Sequence, residues 1–437
     1  MTHIAPLGHS AGGSSRRSIR VAVDARVDEA EGGGVASVLL GLAYGLSRLT
    51  DGDEKYLFLV IEGQDGWLRS NVSGPCRVLE QPGESETRRR LRSLRNRISH
   101  AAPVARDAWR RLPIRVTRVP VLPISNGLVE AAGADVVHFV SQGAFLTSIP
   151  SIYHPHDLQH VHLPQFFSPR ARATRTRYYK AYADQAEMVA VASTWTKRDV
   201  AQHLGIADSK IVVVPWAPPL AAVPEPTADE AAAMAVRLRL PAQYLLYPAR
   251  TWPHKNHAVL IDAASTLRQR HGIDASLVFT GHRTPEARAL DARARQLGVD
   301  DLVTWTGFLN PRELRAVYAL SEGVIIPSLF EAASAPLWEA WLAGKPAACS
   351  NVTSLPEQAG DAAIIFDPTS IEAVADAIAK LWTSPELRNT LARRGAKRVS
   401  AFTWDRTART FRAHYRRIAG VKVSDADAEL VAAEPGI

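Results

Sequence analysis

Short apolar runs alternate with amphipathic stretches along almost the whole of this chain, and they do so in two series. The first series holds IRVAVDARV (19–27), KYLFLVIEG (55–63), ADVVHFV (134–140), SIYHPHDLQ (151–159), EMVAVAS (187–193) and KIVVVPW (210–216). The second holds QYLLYPAR (243–250), ASLVFTG (275–281), LVTWTGF (302–308), GVIIPS (323–328), PAACSN (346–351) and AAIIFDP (362–368). Helical stretches lie between them, among them GGGVASVLLGLAYGLSRL (32–49) and TWTKRDVAQHLG (194–205). Parallel strands can be joined only by a long crossover, normally a helix, so this alternation predicts parallel sheets with right-handed connections. A chain of 437 residues exceeds what one core supports, so two domains are expected. The proline- and alanine-rich stretch 217–242 divides the two series and reads as a linker. The predicted fold class is therefore α/β, two tandem Rossmann-like doubly wound domains facing each other across a cleft. Residues 1–18 read as a flexible tail, 19–216 as the first domain and 243–402 as the second. Residues 403–420 read as a final amphipathic helix and 421–437 as a loose tail.

Ligands of such sheets bind beyond the carboxyl ends of the strands. FEAASAPLWEAWLAGKP (330–346) follows the run GVIIPS and carries two carboxylates, Glu331 and Glu339, with mostly small residues between them. Pro336 suits the first turn of a helix, Gly344 supplies a left-handed stop and Pro346 prevents continuation, which predicts a helix from about 336 to 343. A helix amino terminus offers unpaired N–H groups and partial positive charge to a phosphate. The two carboxylates suit neutral hydroxyls, as on a sugar or ribose. They would repel a diphosphate unless cations stood nearby. YPARTWPHKNH supplies Arg250 and Lys255 just past the first strand of the second domain. Arginine can grip a phosphate through two parallel bonds and lysine adds a point charge.

These segments together resemble the family 4 glycosyltransferases, retaining enzymes of the GT-B fold that use nucleotide-diphosphate sugars. The resemblance runs from about residue 19 to about residue 418. FEAASAPLWEA resembles the family's Glu–seven residues–Glu motif, ARTWPHKN its Arg…Lys diphosphate clamp, and PHDLQHVHLPQFF its His-Asp segment. VASTWTKRDVAQHLGIADSKIVVVPW, SNVTSLPEQAGDAAIIFDP and FTWDRTARTFRAHYRRI complete the pattern. The resemblance implies an acceptor-binding first domain, a nucleotide-sugar-binding second domain and a last helix that crosses back to brace the first. It implies that Glu331 contacts donor-sugar hydroxyls, Glu339 the ribose, and Arg250 and Lys255 the diphosphate. It implies that His156 faces the donor sugar, and that the backbone at Gly33 and Gly34 approaches the phosphates or the acceptor. Ala332, Ala333 and Ser334 stand where the family usually has Gly-Phe-Gly, and Val35, Ala36 and Ser37 follow the glycine loop where an arginine is common.

The expected reaction moves a hexose, with mannose among the candidates, from a GDP- or UDP-linked donor to a glycan or lipid-linked acceptor in cell-surface glycan synthesis. The alternative is a non-catalytic sugar-nucleotide-binding or membrane-associated partner on the same fold. No cofactor and no metal are expected. The Asp-x-Asp pairs at 51–53 and 425–427 read as structural, and His154, His156, His160 and His162 show no metal-type spacing. A nicotinamide oxidoreductase is disfavoured because DARVDEAE separates the first strand from GGGVAS. The net charge of +8 is concentrated between Arg88 and Arg118, inside an insertion at about 84–120 where only Asp107 opposes the arginines. That run reads either as a solvated helical face or as a contact with an anionic membrane or acidic acceptor. Nucleic acid is disfavoured because no aromatic stacking platform is interleaved with it. Cys76 and Cys349 are far apart and read as packing residues of a reducing compartment. No apolar run approaches the roughly 18 residues that cross a bilayer, so a cytoplasmic protein is expected, peripheral to the inner membrane face if the arginines bind there.

Overall fold

The computed structural model describes residues 18–27, 34–83 and 121–433. Gly33, the segment Arg88–Arg118 and residues 1–17 of the expected tail lie outside them. The first series folds into β1 (Arg20–Asp24), β2 (Lys55–Ile61), β3 (Cys76–Gln81), β4 (Val136–Phe139), β5 (Ser151–Tyr153), β6 (Met188–Val191) and β7 (Ile211–Val213). They make a seven-stranded sheet in the order β3-β2-β1-β4-β5-β6-β7, parallel throughout. The second series gives β8 (Leu245–Pro248), β9 (Leu277–Thr280), β10 (Val303–Gly307), β11 (Gly323–Ile326), β12 (Ala347–Ser350) and β13 (Ala363–Phe366). These form a six-stranded parallel sheet in the order β10-β9-β8-β11-β12-β13. In both sheets the order reverses beside the first strand, so the switch points lie between β1 and β4 and between β8 and β11.

The continuous apolar runs follow from burial on both faces. Val21 and Val23 of β1 enter a core shared with the helix α1 (Gly34–Leu46), while Ala22 between them enters a different core. That second core is covered by α2 (Pro169–Gln185) and α3 (Thr194–Leu204) through Tyr179, Tyr182 and Val200. The stretch between the sheets contains α4 (Ala228–Leu238), which begins with a capping box between Thr227 and Glu230. The second domain further contains α5 (Pro311–Leu320), α6 (Ala335–Leu342) and α7 (Leu355–Ala359).

The chain ends with α8 (Trp404–Ile418) and α9 (Asp425–Ala432). Trp404, Ala408, Phe411 and Tyr415 recur at helical spacing and lie in the core of the first domain, so α8 packs there. Two glycines of α1 admit it. A Cβ on Gly41 would meet the Trp404 ring at 1.9 Å, and one on Gly45 the Trp404 carbonyl oxygen at 2.5 Å.

The segment expected to be a loose tail is different in the structure. Asp427 on α9 is fully buried and accepts bonds from Arg412 Nε (2.8 Å) and Arg409 Nε (3.1 Å), which tie α9 to α8. Arg412 also binds Asp51 from the first domain. Burial alone would lower the Arg412 pKa and raise that of Asp427, yet the hydrogen-bonded ion pairs reverse both shifts. One aspartate of each Asp-x-Asp pair thus serves the same guanidinium. Cys76 and Cys349 are buried free thiols. Among the described residues no helix is long and apolar enough to cross a membrane.

Candidate active site

The site begins at the switch point of the second sheet, where β8 and β11 are neighbours and their carboxyl ends lead into two loops. Arg250 follows β8 by two residues, and Lys255 ends the 3-10 turn Pro253–Lys255. The Leu329 amide donates to the His254 carbonyl at 2.8 Å and fastens one loop to the other. Asn256 adopts φ of 57° and its side-chain amide donates to the carbonyls of Pro327 (3.1 Å) and Pro368 (2.9 Å). The result is a direct ion pair, Lys255 Nζ to Glu331 Oε1 at 2.6 Å, with the two side chains only 18% and 10% exposed. Arg250 stands with its guanidinium 5.3 Å from the centre of the Trp252 ring.

Glu331 is held from several sides. Ser328 Oγ donates to its Oε1 at 2.6 Å, and Tyr247 OH lies 2.9 Å from that Ser328 oxygen. The Glu331 amide donates to Thr353 Oγ1 at 3.0 Å. Its carbonyl accepts from Thr353 Oγ1 (2.5 Å) and Ser354 Oγ (2.8 Å). Thr353 sits at φ of 51°, a conformation a β-branched residue rarely adopts and one that occurs mainly where the surroundings demand it.

Glu339 lies in the middle of α6 and is 7% exposed. Tyr318 OH, from α5, donates to its Oε2 at 2.8 Å. Burial pushes the Glu339 carboxyl up to about 7, and the bond from Tyr318 opposes only part of that rise. At neutral pH this carboxylate sits near the midpoint of its titration, so a ligand that donates hydrogen bonds to it can set its charge. The Ser334 side chain makes no capping bond to α6, whose first turn carries Pro336. The preceding loop is instead pinned by Gln358, which exchanges bonds of 2.8 Å with the Ser334 amide and carbonyl.

His156 lies beyond β5 in the first domain and adopts φ of 57°. Its Nε2–H donates to the Val140 carbonyl at 2.5 Å, which leaves Nδ1 unprotonated in the neutral ring. Burial keeps that ring below its ordinary pKa, with the Val140 bond opposing. Behind it run His154 and His138, joined Nε2 to Nε2 at 2.7 Å, and His138 Nδ1 reaches Tyr415 OH of α8 at 2.6 Å. Burial drives the His138 pKa down to about 3, so this aromatic stack is uncharged. The next residue, Asp157, is raised by burial and drawn down by the Gln159 amide and by the charges of Arg175 and Lys255. The field of Lys255 acts there from the other domain.

Of the residues singled out in the sequence, Lys255 and Glu331 are in contact, Arg250 lies on the loop after β8, Glu339 on the helix that follows β11, and His156 beyond β5 in the first domain. Gly34 starts α1 with open space where a Cβ would be. Several residues escaped sequence reasoning. Ser328, Asp157 and Thr353 stood inside the quoted motifs without a role, whereas Tyr318 comes from a segment with no such signal. Glu357 also escaped it. From α7 its carboxylate accepts the Thr194 amide (2.6 Å) and the Trp195 amide (2.8 Å) at the start of α3 in the first domain. Beside it, Ser193 Oγ (2.8 Å) and Thr196 Oγ1 (3.1 Å) donate to the Ala332 carbonyl.

A family model described as glycosyltransferase family 4 matches residues 32–217, and one described as glycosyl transferases group 1 matches residues 234–398. O-antigen chain mannosyltransferase B of Escherichia coli is 26% identical over 277 residues, covering 61% of this chain and 72% of that protein. MMP alpha-(1->4)-mannosyltransferase of Mycolicibacterium hassiacum is 30% identical over 160 residues, 36% of this chain and 38% of that protein. D-inositol 3-phosphate glycosyltransferase of Actinosynnema mirum is 30% identical over 262 residues, 56% of this chain and 60% of that protein. Among solved structures, Anabaena HepE in complex with UDP and glucose superimposes with a TM-score of 0.66 at 16% identity, over 91% of this chain and 100% of that one. WaaG, a glycosyltransferase involved in lipopolysaccharide biosynthesis, gives 0.61 at 17% identity, over 92% and 100%. Those two likenesses speak to the fold.

Proposed function

This chain belongs to the family 4 glycosyltransferases of the GT-B fold, and on that premise we propose that it is a retaining hexosyltransferase of cell-surface glycan synthesis. Its donor is a nucleotide-diphosphate sugar, GDP-mannose or a UDP-hexose, and its acceptor a polysaccharide or lipid-linked oligosaccharide. The names of the relatives support mannose as the first sugar to test, and HepE, bound to UDP, supports including uridine donors. The protein works in the cytoplasm, with Arg88–Arg118 as its contact with an anionic membrane face.

The observation that carries this reading is the largely shielded Lys255–Glu331 pair at the β8/β11 switch point, with Arg250 on the same loop as Lys255. Departure of a nucleoside diphosphate builds negative charge on the leaving oxygens, and fixed cations stabilise that charge where it develops. An entering diphosphate draws Lys255 away from Glu331. The carboxylate, still held by Ser328, then accepts from donor-sugar hydroxyls. Arg250 and the amides at the start of α6 share the phosphate charge, Glu339 takes the ribose hydroxyls, and His156 borders the sugar from the first domain. Sugar chemistry is thereby coupled to phosphate neutralisation through one ion pair.

Melting temperatures recorded with GDP, UDP and ADP identify the base, since a ligand of the folded state alone raises apparent stability. Transfer from the matching mannose or hexose donor should then follow. Lys255→Ala and Glu331→Gln should each lower kcat by about 10²–10³, the scale of losing one preorganised charge-stabilising group. Nucleotide binding with no transfer to any tested glycan would favour the non-catalytic alternative. Activity unchanged by either substitution would remove the proposed site.

A further inference from the structure

A second cluster lies in the first domain, outside the residues assigned to the donor. Asp199 is in the second turn of α3, and His203 follows it by four residues, the spacing that puts two ligands on one helix face. The short helix Gln159–His162 ends beside them and presents His162. His162 Nε2 stands 2.6 Å from Asp199 Oδ1, and His203 Nδ1 stands 3.0 Å from the same oxygen. The ligand atoms of all three lie within 4.8 Å of one another. The carboxylate is 3% exposed, whereas the imidazoles are 30% and 27% exposed.

A hydrogen-bonded bracket explains only part of this. Both imidazoles converge on Oδ1, and Asp199 Oδ2 is buried without a hydrogen-bond partner. An unsatisfied buried carboxylate oxygen is costly and is found where something else satisfies it. A cation between the three side chains does so. Two imidazoles and one carboxylate suit zinc and its transition-metal neighbours, whereas magnesium and calcium prefer all-oxygen sets. Zinc–nitrogen bonds are about 2.0–2.1 Å, so the imidazoles need only small rotations from their present positions, and a fourth place remains toward solvent for water.

We propose that His162, Asp199 and His203 form a binding site for a divalent transition ion of the zinc class. His162 also packs on Phe330 of the second domain, ring centres 5.4 Å apart, and Phe330 precedes Glu331. The ion therefore fixes the ring on which the sugar-site loop rests. The spacing of His154, His160 and His162 hides this site, because two of its ligands come from a helix more than thirty residues later, a separation read directly from 162 and 199.

The test uses full-length, tag-free protein freed of metal with a chelator. Titration calorimetry with Zn2+ and visible absorption with Co2+ should show one equivalent bound, with a d–d band of nitrogen–oxygen ligation. Mg2+ should not compete. His162→Gln and His203→Gln alter exposed side chains and should fold, and each, as a lost direct ligand, should weaken binding by more than the roughly 10–100-fold that loss of an outer-shell partner costs. Asp199→Asn keeps the shape of the bracket and should also lose the ion. Failure of the wild-type protein to bind an equivalent overturns the proposal, as does equal affinity in the His162→Gln/His203→Gln double variant.

Discussion

At the scale of single residues, Glu339 makes the sharpest claim. Its carboxyl lies at about 7 where 4.5 is ordinary, because burial favours the neutral acid. This group's contribution to stability is therefore complete below about 4.5 and is lost as pH rises through about 7. Donor binding runs the other way if ribose hydroxyls must donate to the ionised form. The diphosphate of a nucleotide sugar does not titrate in this range, so a donor KM that climbs by about tenfold per pH unit below 7 reports Glu339. Tyr318→Phe removes the bond that restrains the rise and should move the midpoint of the KM profile to higher pH with a smaller effect on kcat. A midpoint that stays in place would show that Glu339 does not titrate in donor binding. Glu331 was legible in the sequence as a carboxylate beyond a strand end. Its backbone clamp, Thr353 and Ser354, was not, because hydrogen bonds across 22 and 23 residues leave no periodic trace.

At the scale of elements, the strands most legible in the sequence are those buried on both faces. β3 was missed because it is an edge strand, half buried, with Arg77 and Glu80 interrupting the apolar positions. α2 was missed for a similar reason: of its 17 residues only Tyr179, Tyr182 and Ala183 are buried, and five arginines and lysines, spaced through its first twelve residues, break the apolar stripe. The apolar spacing of α8 was plain in the sequence, but its landing place was not, since that depends on side chains absent from Gly41 and Gly45. Gly41→Leu would drive a side chain into the space of the Trp404 ring, and Gly45→Ala would push on backbone that cannot rotate away. Overpacking of this kind costs about 1–3 kcal/mol, and more when helices must separate. Chemical denaturation should show a lower midpoint for Gly45→Ala, whereas Gly34→Ala, which meets open space, should stay near wild type. The Arg412 pairs belong to the same packing. Asp427→Ala removes a fully buried carboxylate and leaves a guanidinium short of partners, so about 3–5 kcal/mol should be lost. Proteolysis within α9 should then precede global unfolding.

At the scale of the whole molecule, the two domains meet where the sequence departs from its family. Ala332 stands at the first position of the usual Gly-Phe-Gly, and its carbonyl accepts from Ser193 and Thr196 across the seam. Glu357 completes the contact by capping the first amides of α3, where a carboxylate also meets the positive end of the helix dipole. The Ala332 contact lies on the loop that carries Glu331, and α7, which carries Glu357, follows Ser354, whose hydroxyl binds the Glu331 carbonyl, so a movement between the domains would reach Glu331 without passing through the linker. In the proposed reading, by contrast, the diphosphate is held by Arg250 and Lys255 of the second domain. Glu357→Ala should therefore separate two quantities that a defect in the donor pocket would change together. The dissociation constant for the nucleoside diphosphate should remain within about twofold, while kcat/KM for transfer falls by about tenfold, the effect of 1.4 kcal/mol on a closed state. Solution scattering should show a larger radius of gyration for the variant with bound nucleotide than for the wild-type protein. Loss of nucleotide affinity with unchanged dimensions would place the role of Glu357 inside the donor pocket rather than between the domains.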